Sequence, residues 1–318
     1  MTIAILDDYA GAALRLADWS GVGKITVFSD TILDHASLAA RLWPFEVICL
    51  MRERTAMPAA LIDALPNLKL IVTSGPKNAA IDVAAAKARG ITVCGTESRK
   101  TTTSELSILM LLALNRRLLP EVALLNGGGW QAGLGRDVAG LTLGLVGLGN
   151  IGAQMAVLGN ALGMEIVAWS QNLSDERCAA LGVRLIQSLG DLLAKSDVAS
   201  VHMALSERTA GLINRTALAL AKPGMVLINT SRGPIVDSDA VLDWLRRDPT
   251  AKAGLDVFDV EPLPKDDPLR AADLISEGRL LLTPHLGYTT EATFRLFYTQ
   301  TAEAIRAWRA GNPVRVIA

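Results

Sequence analysis

Arg232 in INTSRG, Glu261 in DVFDVEP and His285 in LLLTPHLG are a cation, a carboxylate and an imidazole, each just past a short apolar run that reads as a parallel strand. In an open α/β sheet, ligands bind outside the carboxyl ends of the strands, so three such strands would bring these side chains to one place. The set suits interconversion of a 2-keto acid and a 2-hydroxy acid. When hydride reaches C2, the carbonyl oxygen becomes an alkoxide that needs a proton, which an imidazolium gives and an imidazole takes back in the reverse direction. A carboxylate on the other ring nitrogen orients the imidazole, the role expected of Glu261. A guanidinium matches a substrate carboxylate bidentately and can polarise the keto oxygen, the role expected of Arg232.

Such chemistry needs a hydride carrier, and LGLVGLGNIG places Gly147, Gly149 and Gly152 directly after an apolar strand and at the opening of a proline-free helix. That spacing lets backbone approach the pyrophosphate of a dinucleotide. At the end of the following strand, where an acid would accept hydrogen bonds from the adenosine ribose and repel a 2′-phosphate, stand Ser170, Gln171 and Asn172. With no carboxylate to repel a phosphate and no Arg or Lys among them to grip one, either NAD or NADP fits, with a slight lean to NADP.

The elements that must position these groups form two series. At 318 residues the chain exceeds what one hydrophobic core usually organises. Strand-like runs at 3–6, 25–28, 47–50, 70–73 and 91–94 alternate with helical stretches at 58–65 and 83–89, the pattern of βαβ units and a parallel sheet. One long apolar helix is expected over 103–126, followed by the Gly-rich connection NGGGWQAGLGRDVAG. A second alternation has strands at 142–146, 165–169, 183–186, 198–202, 225–229, 253–257 and 280–283, with helices at 151–162 and 238–246. The last helix, 290–309, has no strand after it and is expected to pack on the first lobe. The expected architecture is therefore α/β with two doubly wound parallel-sheet domains. Residues 1–98 and 289–318 form a discontinuous substrate domain, and 99–288 form an inserted cofactor domain, with a cleft between them.

The segments VGLGNIG, SVHMAL, KPGMVLINTSRGPIVD, GLDVFDVEPLP and TPHLGYTTEA, in this order over nearly the whole chain, resemble the D-isomer-specific 2-hydroxyacid dehydrogenases, the family that includes glyoxylate/hydroxypyruvate reductases and phosphoglycerate dehydrogenases. The resemblance implies a Rossmann domain inserted in a flavodoxin-like domain, a homodimer formed through the cofactor domain, and Arg232, Glu261 and His285 as the catalytic set. By the same matching Thr103, Asn150, Ile151, Thr230, Ser231, Asp256 and Gly287 should lie along the cofactor, together with Arg232 and His285. Formate dehydrogenases of the superfamily carry glutamine where Glu261 stands, which points to a hydroxyacid substrate. The substrate loop departs from the family's glycine-rich turn: it reads TSGPKNAAID from Thr73, and Pro76 has no N–H to offer. Arg52, Gly75 and Lys77 are therefore expected to form the substrate-facing wall with Arg232 and His285, and the added charge fits a substrate with an extra acidic or polar group.

Bulk properties exclude some partners. With 31 basic and 32 acidic residues and no block of like charge, neither nucleic acid nor an anionic membrane is favoured. Cys49, Cys94 and Cys178 are scattered and read as reduced, buried thiols of a cytoplasmic protein, with no metal site. No signal peptide or bilayer-spanning run is read in the chain. His202 could approach the nicotinamide half or be structural, Trp130 could reach the cleft or a partner subunit or simply pack, and His35 is assigned nothing. The other function class is a cofactor-sensing scaffold, as in corepressors of the superfamily that keep the fold and the triad; no appended partner-binding segment resembles theirs.

Overall fold

A computed structural model describes every residue from Met1 to Ala318. The chain divides into two compact units, Met1–Arg99 with Thr289–Ala318, and Lys100–Tyr288.

In the first unit β1 (Thr2–Ile5), β2 (Lys24–Val27), β3 (Val47–Leu50), β4 (Leu70–Thr73) and β5 (Thr92–Gly95) pair in parallel in the order β2-β1-β3-β4-β5. This is the flavodoxin-like order. The segments VICL and LIVT are buried at every position, as strands covered on both faces require. Ala4, Ile48, Ile71 and Val93 pack with Leu42, Leu61 and Ile62 from the helices His35–Leu42 and Ala59–Asp63.

The helix Glu291–Arg309 belongs to this unit, capped by the Thr290 side chain on the Thr293 N–H. It buries Phe294, Phe297, Tyr298, Thr301, Ala302 and Ile305, one face at helical spacing. No strand follows this helix, in line with the sequence reading. The final residues return beside β5 as an antiparallel bridge between Cys94 and Val316, with Ile317 N–H donating to Val93 O at 2.7 Å and Val93 N–H to Ala318 O at 2.9 Å. An edge strand presents unpaired backbone groups, and this segment covers them.

The second unit holds seven parallel strands: β6 (Thr142–Val146), β7 (Glu165–Trp169), β8 (Arg184–Leu185), β9 (Val198–Val201), β10 (Val226–Asn229), β11 (Lys252–Leu255) and β12 (Leu280–Leu282). Their order, β12-β11-β10-β9-β6-β7-β8, is that of a doubly wound dinucleotide fold whose direction of winding switches at β6. One face of the sheet packs Val146, Val201 and Leu227 against Val241, Trp244 and Leu245; the other packs Leu145, Val198 and Ile228 against Met110, Leu111, Leu114 and Met155.

The single helix expected over 103–126 is instead two, Thr102–Asn115 and Leu118–Asn126, broken where Arg117 adopts a left-handed backbone (φ +55°). The Gly-rich connection causes the break. Its Arg136 N–H takes the Asn115 carbonyl at 2.8 Å, and Gly135 lies so close that a Cβ there would stand 2.9 Å from Arg116 Cα. The strand read at 183–186 keeps only Arg184–Leu185, at the sheet edge. No helix is long and apolar enough to cross a membrane.

Candidate active site

The turn after β6 uses its glycines for three separate reasons. Gly147 has φ +103°, and a Cβ on it would stand 2.7 Å from the His202 carbonyl oxygen. A Cβ on Gly152 would stand 2.2 Å from Gly147 O, so this glycine lets the helix Asn150–Ala161 seat against the turn. Gly149 is different: a Cβ there meets nothing within 4 Å, the residue is exposed, and it heads the helix without a side-chain cap. An open glycine at an uncapped helix start, beside exposed Asn150 and half-buried Ile151, fits a pyrophosphate. Ser170 is half-buried at the end of β7, and Gln171 and Asn172 are exposed beyond it.

Arg232, Glu261 and His285 follow β10, β11 and β12, three neighbouring strands, at their carboxyl ends. His285 Nδ1 and Glu261 Oε2 are 2.5 Å apart, and the other carboxylate oxygen, Oε1, accepts the Phe258 N–H at 3.0 Å. The ring is thus held by a carboxylate that is itself held by backbone. The ring also packs steeply against that of Tyr288, with centroids 5.1 Å apart and planes at 69°. Both residues of the pair are only partly exposed, His285 at 15% and Glu261 at 20% of the side chain. The loop bearing Arg232 touches the loop bearing Glu261, since a Cβ on Gly233 would stand 2.1 Å from the Phe258 carbonyl carbon. Arg232 Nη1 donates to Ser231 O at 2.7 Å.

Sequence reasoning missed Asn229 and Ser107, which help to hold these loops. Buried Asn229 brackets its turn, accepting the Ser231 N–H at 3.0 Å and donating to Arg232 O at 3.0 Å; Ser231 Oγ donates to Met203 O. An Asn at the end of an apolar strand is the available signal for such a turn. Ser107, fully buried, shares a hydrogen bond of 2.7 Å with Thr230, and Thr103 donates to Gly287 O at 3.1 Å, so the helix Thr102–Asn115 ties down two site loops.

Asp256 is fully buried beneath the His285 turn. It accepts Thr283 Oγ1 and the Leu286 N–H, each at 2.6 Å, and the Gly287 N–H at 2.9 Å. Burial raises its pKa against the opposing pull of those three donors. His285 itself has a left-handed backbone (φ +54°), which for a non-glycine residue persists only where the surroundings hold it; the Asp256 clamp supplies that hold.

His202 sits at the end of β9, its Nε2 2.8 Å from Ser200 Oγ, and burial pushes its pKa down from 6.5 to about 3, so the ring stays neutral. The unfolded chain takes up a proton near 6.5 that the folded chain refuses. Stability is therefore complete above that pH and falls as the pH drops from 6.5 toward about 3. His202→Asn should flatten this acid limb in urea midpoints measured against pH; an unchanged slope would show that His202 does not cause it.

At the carboxyl end of the first unit's sheet, Arg52 (φ +55°) is half-buried, and its Nη1 would lie 1.8 Å from a Cβ on Gly75, so the guanidinium occupies the space this glycine leaves. The Gly75 N–H already donates to Thr96 Oγ1 at 2.7 Å, and Lys77 is exposed. Asn78, which the sequence reading passed over, organises the loop by donating to Arg52 O at 2.6 Å and Thr73 Oγ1 at 2.9 Å. Arg54, also passed over, lies over the Tyr9 ring at 4.9 Å.

Known proteins resemble this chain in sequence and in fold. Residues 108–287 match the NAD binding domain of the D-isomer specific 2-hydroxyacid dehydrogenases. The hydroxypyruvate reductase of Thermotoga maritima is 34% identical over 261 residues, 81% of this chain and 83% of that protein. The D-3-phosphoglycerate dehydrogenase of Mycobacterium leprae is 36% identical over 266 residues, 83% of this chain but 49% of its own length, so the chain spans about half of that relative. The crystal structure of a phosphoglycerate oxidoreductase from Vibrio cholerae superposes with a TM-score of 0.90 at 34% identity, covering 98% of this chain and 99% of that one. With an open glycine turn at β6, an imidazole backed by a carboxylate at β12, and likeness at this level across both units, the chain belongs to the D-isomer specific 2-hydroxyacid dehydrogenase family.

Proposed function

We propose that the protein is an NAD(P)H-dependent reductase of small 2-keto acids, yielding D-2-hydroxy acids, with glyoxylate and hydroxypyruvate as favoured substrates. The observation that carries the reading is the 2.5 Å contact between His285 Nδ1 and Glu261 Oε2. It fixes the tautomer of the ring and leaves Nε2 as the atom that passes a proton to and from the substrate oxygen. Arg232 binds the substrate carboxylate. Arg52, Gly75 and Lys77 are the first unit's groups for substrate contact. When bound, the nicotinamide cofactor supplies the hydride. Gly147, Gly149, Asn150, Ile151 and Gly152 hold its pyrophosphate, and Ser170, Gln171 and Asn172 meet its adenosine ribose. Thr103, Thr230, Ser231, Asp256 and Gly287 form or position the loops beside it. The choice of substrate is supported by the hydroxypyruvate reductase relative, most of whose length the chain covers, whereas it covers half of the phosphoglycerate dehydrogenase.

The test follows oxidation of NADPH and NADH with a panel of 2-keto acids, with chiral analysis of the product. Turnover of glyoxylate or hydroxypyruvate to the D product is expected; cofactor binding without turnover of any keto acid would favour a scaffold instead. Within the same assay Lys77→Met should raise KM for the true substrate several-fold, and an unchanged KM would remove Lys77 from the site.

We further propose a homodimer formed through the second unit. The helix Leu118–Asn126 has no buried residue, and Leu118, Leu119, Val122 and Leu125 are all exposed, as are Leu109 and Trp130. Apolar patches of this kind mark association surfaces. Light scattering should report a dimer for the wild type and a monomer for Val122→Asp with Leu125→Asp; a monomeric wild type overturns the assignment. Three free, buried cysteines support a cytoplasmic location.

A further inference from the structure

We propose that Arg208 is the cation that recognises the 2′-phosphate of an NADP-type cofactor, an assignment that rests on the reading of the Gly147 turn as a dinucleotide site. The residues after β7 offer a hydroxyl and two amides at 170–172, with no cation among them. A phosphate ester in such a place needs a positive partner from elsewhere in the fold.

The strand order names where that partner must come from. β6 lies between β7 and β9, so the loops that follow β7 and β9 flank the glycine turn on its two sides. Both are pinned to it: the Gly147 N–H donates to Trp169 O at 2.8 Å, and the His202 N–H donates to Val146 O at 2.8 Å. Beyond the turn the flanking loops meet, where the Gln171 side-chain Nε2 reaches Arg208 O at 3.4 Å. The main chain of Arg208 is therefore brought beside the amide group that the sequence assigns to the ribose, although 37 residues separate them, and its exposed side chain starts from that point.

The β9 loop is also built to hold its shape. Buried Thr209 donates from Oγ1 to Ala204 O at 2.8 Å and accepts the Ser206 N–H at 2.8 Å, which knots 204–209 into a compact turn with Arg208 exposed on it. A guanidinium on a fixed turn loses less freedom on gripping a phosphate than one on a loose loop. The charges nearby in sequence are Glu207 on the same turn and Asp175, Glu176 and Arg177 on the short helix after β7, all exposed.

The test compares 2′,5′-ADP with 5′-AMP, which differ only in the 2′-phosphate, by calorimetric titration of the full-length protein, so that no turnover is needed. The wild type should bind 2′,5′-ADP about 10-fold or more tightly than 5′-AMP at low salt, a preference that shrinks with ionic strength. Arg208→Gln should bring the two nucleotides within about 2-fold while leaving 5′-AMP affinity unchanged, and Arg208→Lys should restore part of the preference. Glu207→Gln, which removes the neighbouring charge from the same turn, should leave the preference intact or increase it. Equal binding of both nucleotides by the wild type overturns the Arg208 assignment but keeps the glycine-turn reading. So does a preference that survives Arg208→Gln or is lost instead in Arg177→Gln. Failure of either nucleotide to bind overturns both.

Discussion

His285→Gln should lower kcat by about 10²- to 10⁴-fold, the contribution of a positioned general acid and base, while cofactor affinity measured by fluorescence stays near that of the wild type. Glutamine approximates the size of the ring but neither donates a proton to an alkoxide nor recovers it. Glu261→Gln should also lower kcat, by about 10-fold or more, because one amide oxygen can accept the Phe258 N–H or the Nδ1–H but not both, and an NH2 group facing Nδ1 favours the opposite tautomer while the charge that supports the imidazolium is lost. The double variant should be little worse than His285→Gln alone, since Glu261 acts through the imidazole and has nothing to orient once it is gone. If His285→Gln retained a tenth or more of wild-type kcat with chemistry rate-limiting, the proton would have to come from another group and the assignment would fall.

Gly233→Ala is the second large effect, and it works through backbone. The added methyl would stand 2.1 Å from the Phe258 carbonyl carbon, 2.3 Å from its oxygen and 2.6 Å from the Asp259 nitrogen, and main chain cannot step aside as a flexible side chain can. Overpacking of this kind costs about 1–3 kcal/mol, so the melting temperature should fall by several degrees. The activity loss should be larger than the stability loss predicts. The strained contact is between the loop that carries Arg232 and the loop whose Phe258 N–H holds Glu261, and a misplacement of about 1 Å at a catalytic group can cost about 10²-fold. Gly149→Ala is the matched control: its Cβ meets nothing within 4 Å, so stability should change by less than about 0.5 kcal/mol while dinucleotide affinity falls. Equal melting temperatures for Gly233→Ala and the wild type would mean the two loops are not locked together there.

The separation between what was legible and what was not follows the range of the interactions. The apolar runs of β3, β4, β6 and β7 could be read to the residue, because a strand buried on both faces must be continuously apolar whatever surrounds it. The break at Arg117 could not, because arginine is a good helix former and the cause is a carbonyl taken by Arg136 from a loop still to come. The two-residue β8 was overread for a similar reason: Val183 is apolar but its N–H turns back to Cys178 O at 3.0 Å, and Ile186 keeps one bond to Ala168 O at 2.9 Å without extending the strand.

At the site, the sequence by itself supplied the candidate residues: a guanidinium, a carboxylate and an imidazole each following a strand, and three glycines whose position between an apolar strand and a helix points to a dinucleotide. These are local facts of residue type and interval. Tertiary structure alone decided that Glu261 and His285 meet at 2.5 Å, that buried Asp256 clamps the left-handed turn at His285, that the Gly75 N–H is taken by Thr96, and that Arg208 comes to lie beside Gln171. Each of these joins residues 21 to 37 positions apart, and only the order of strands in the sheets determines which loop ends become neighbours.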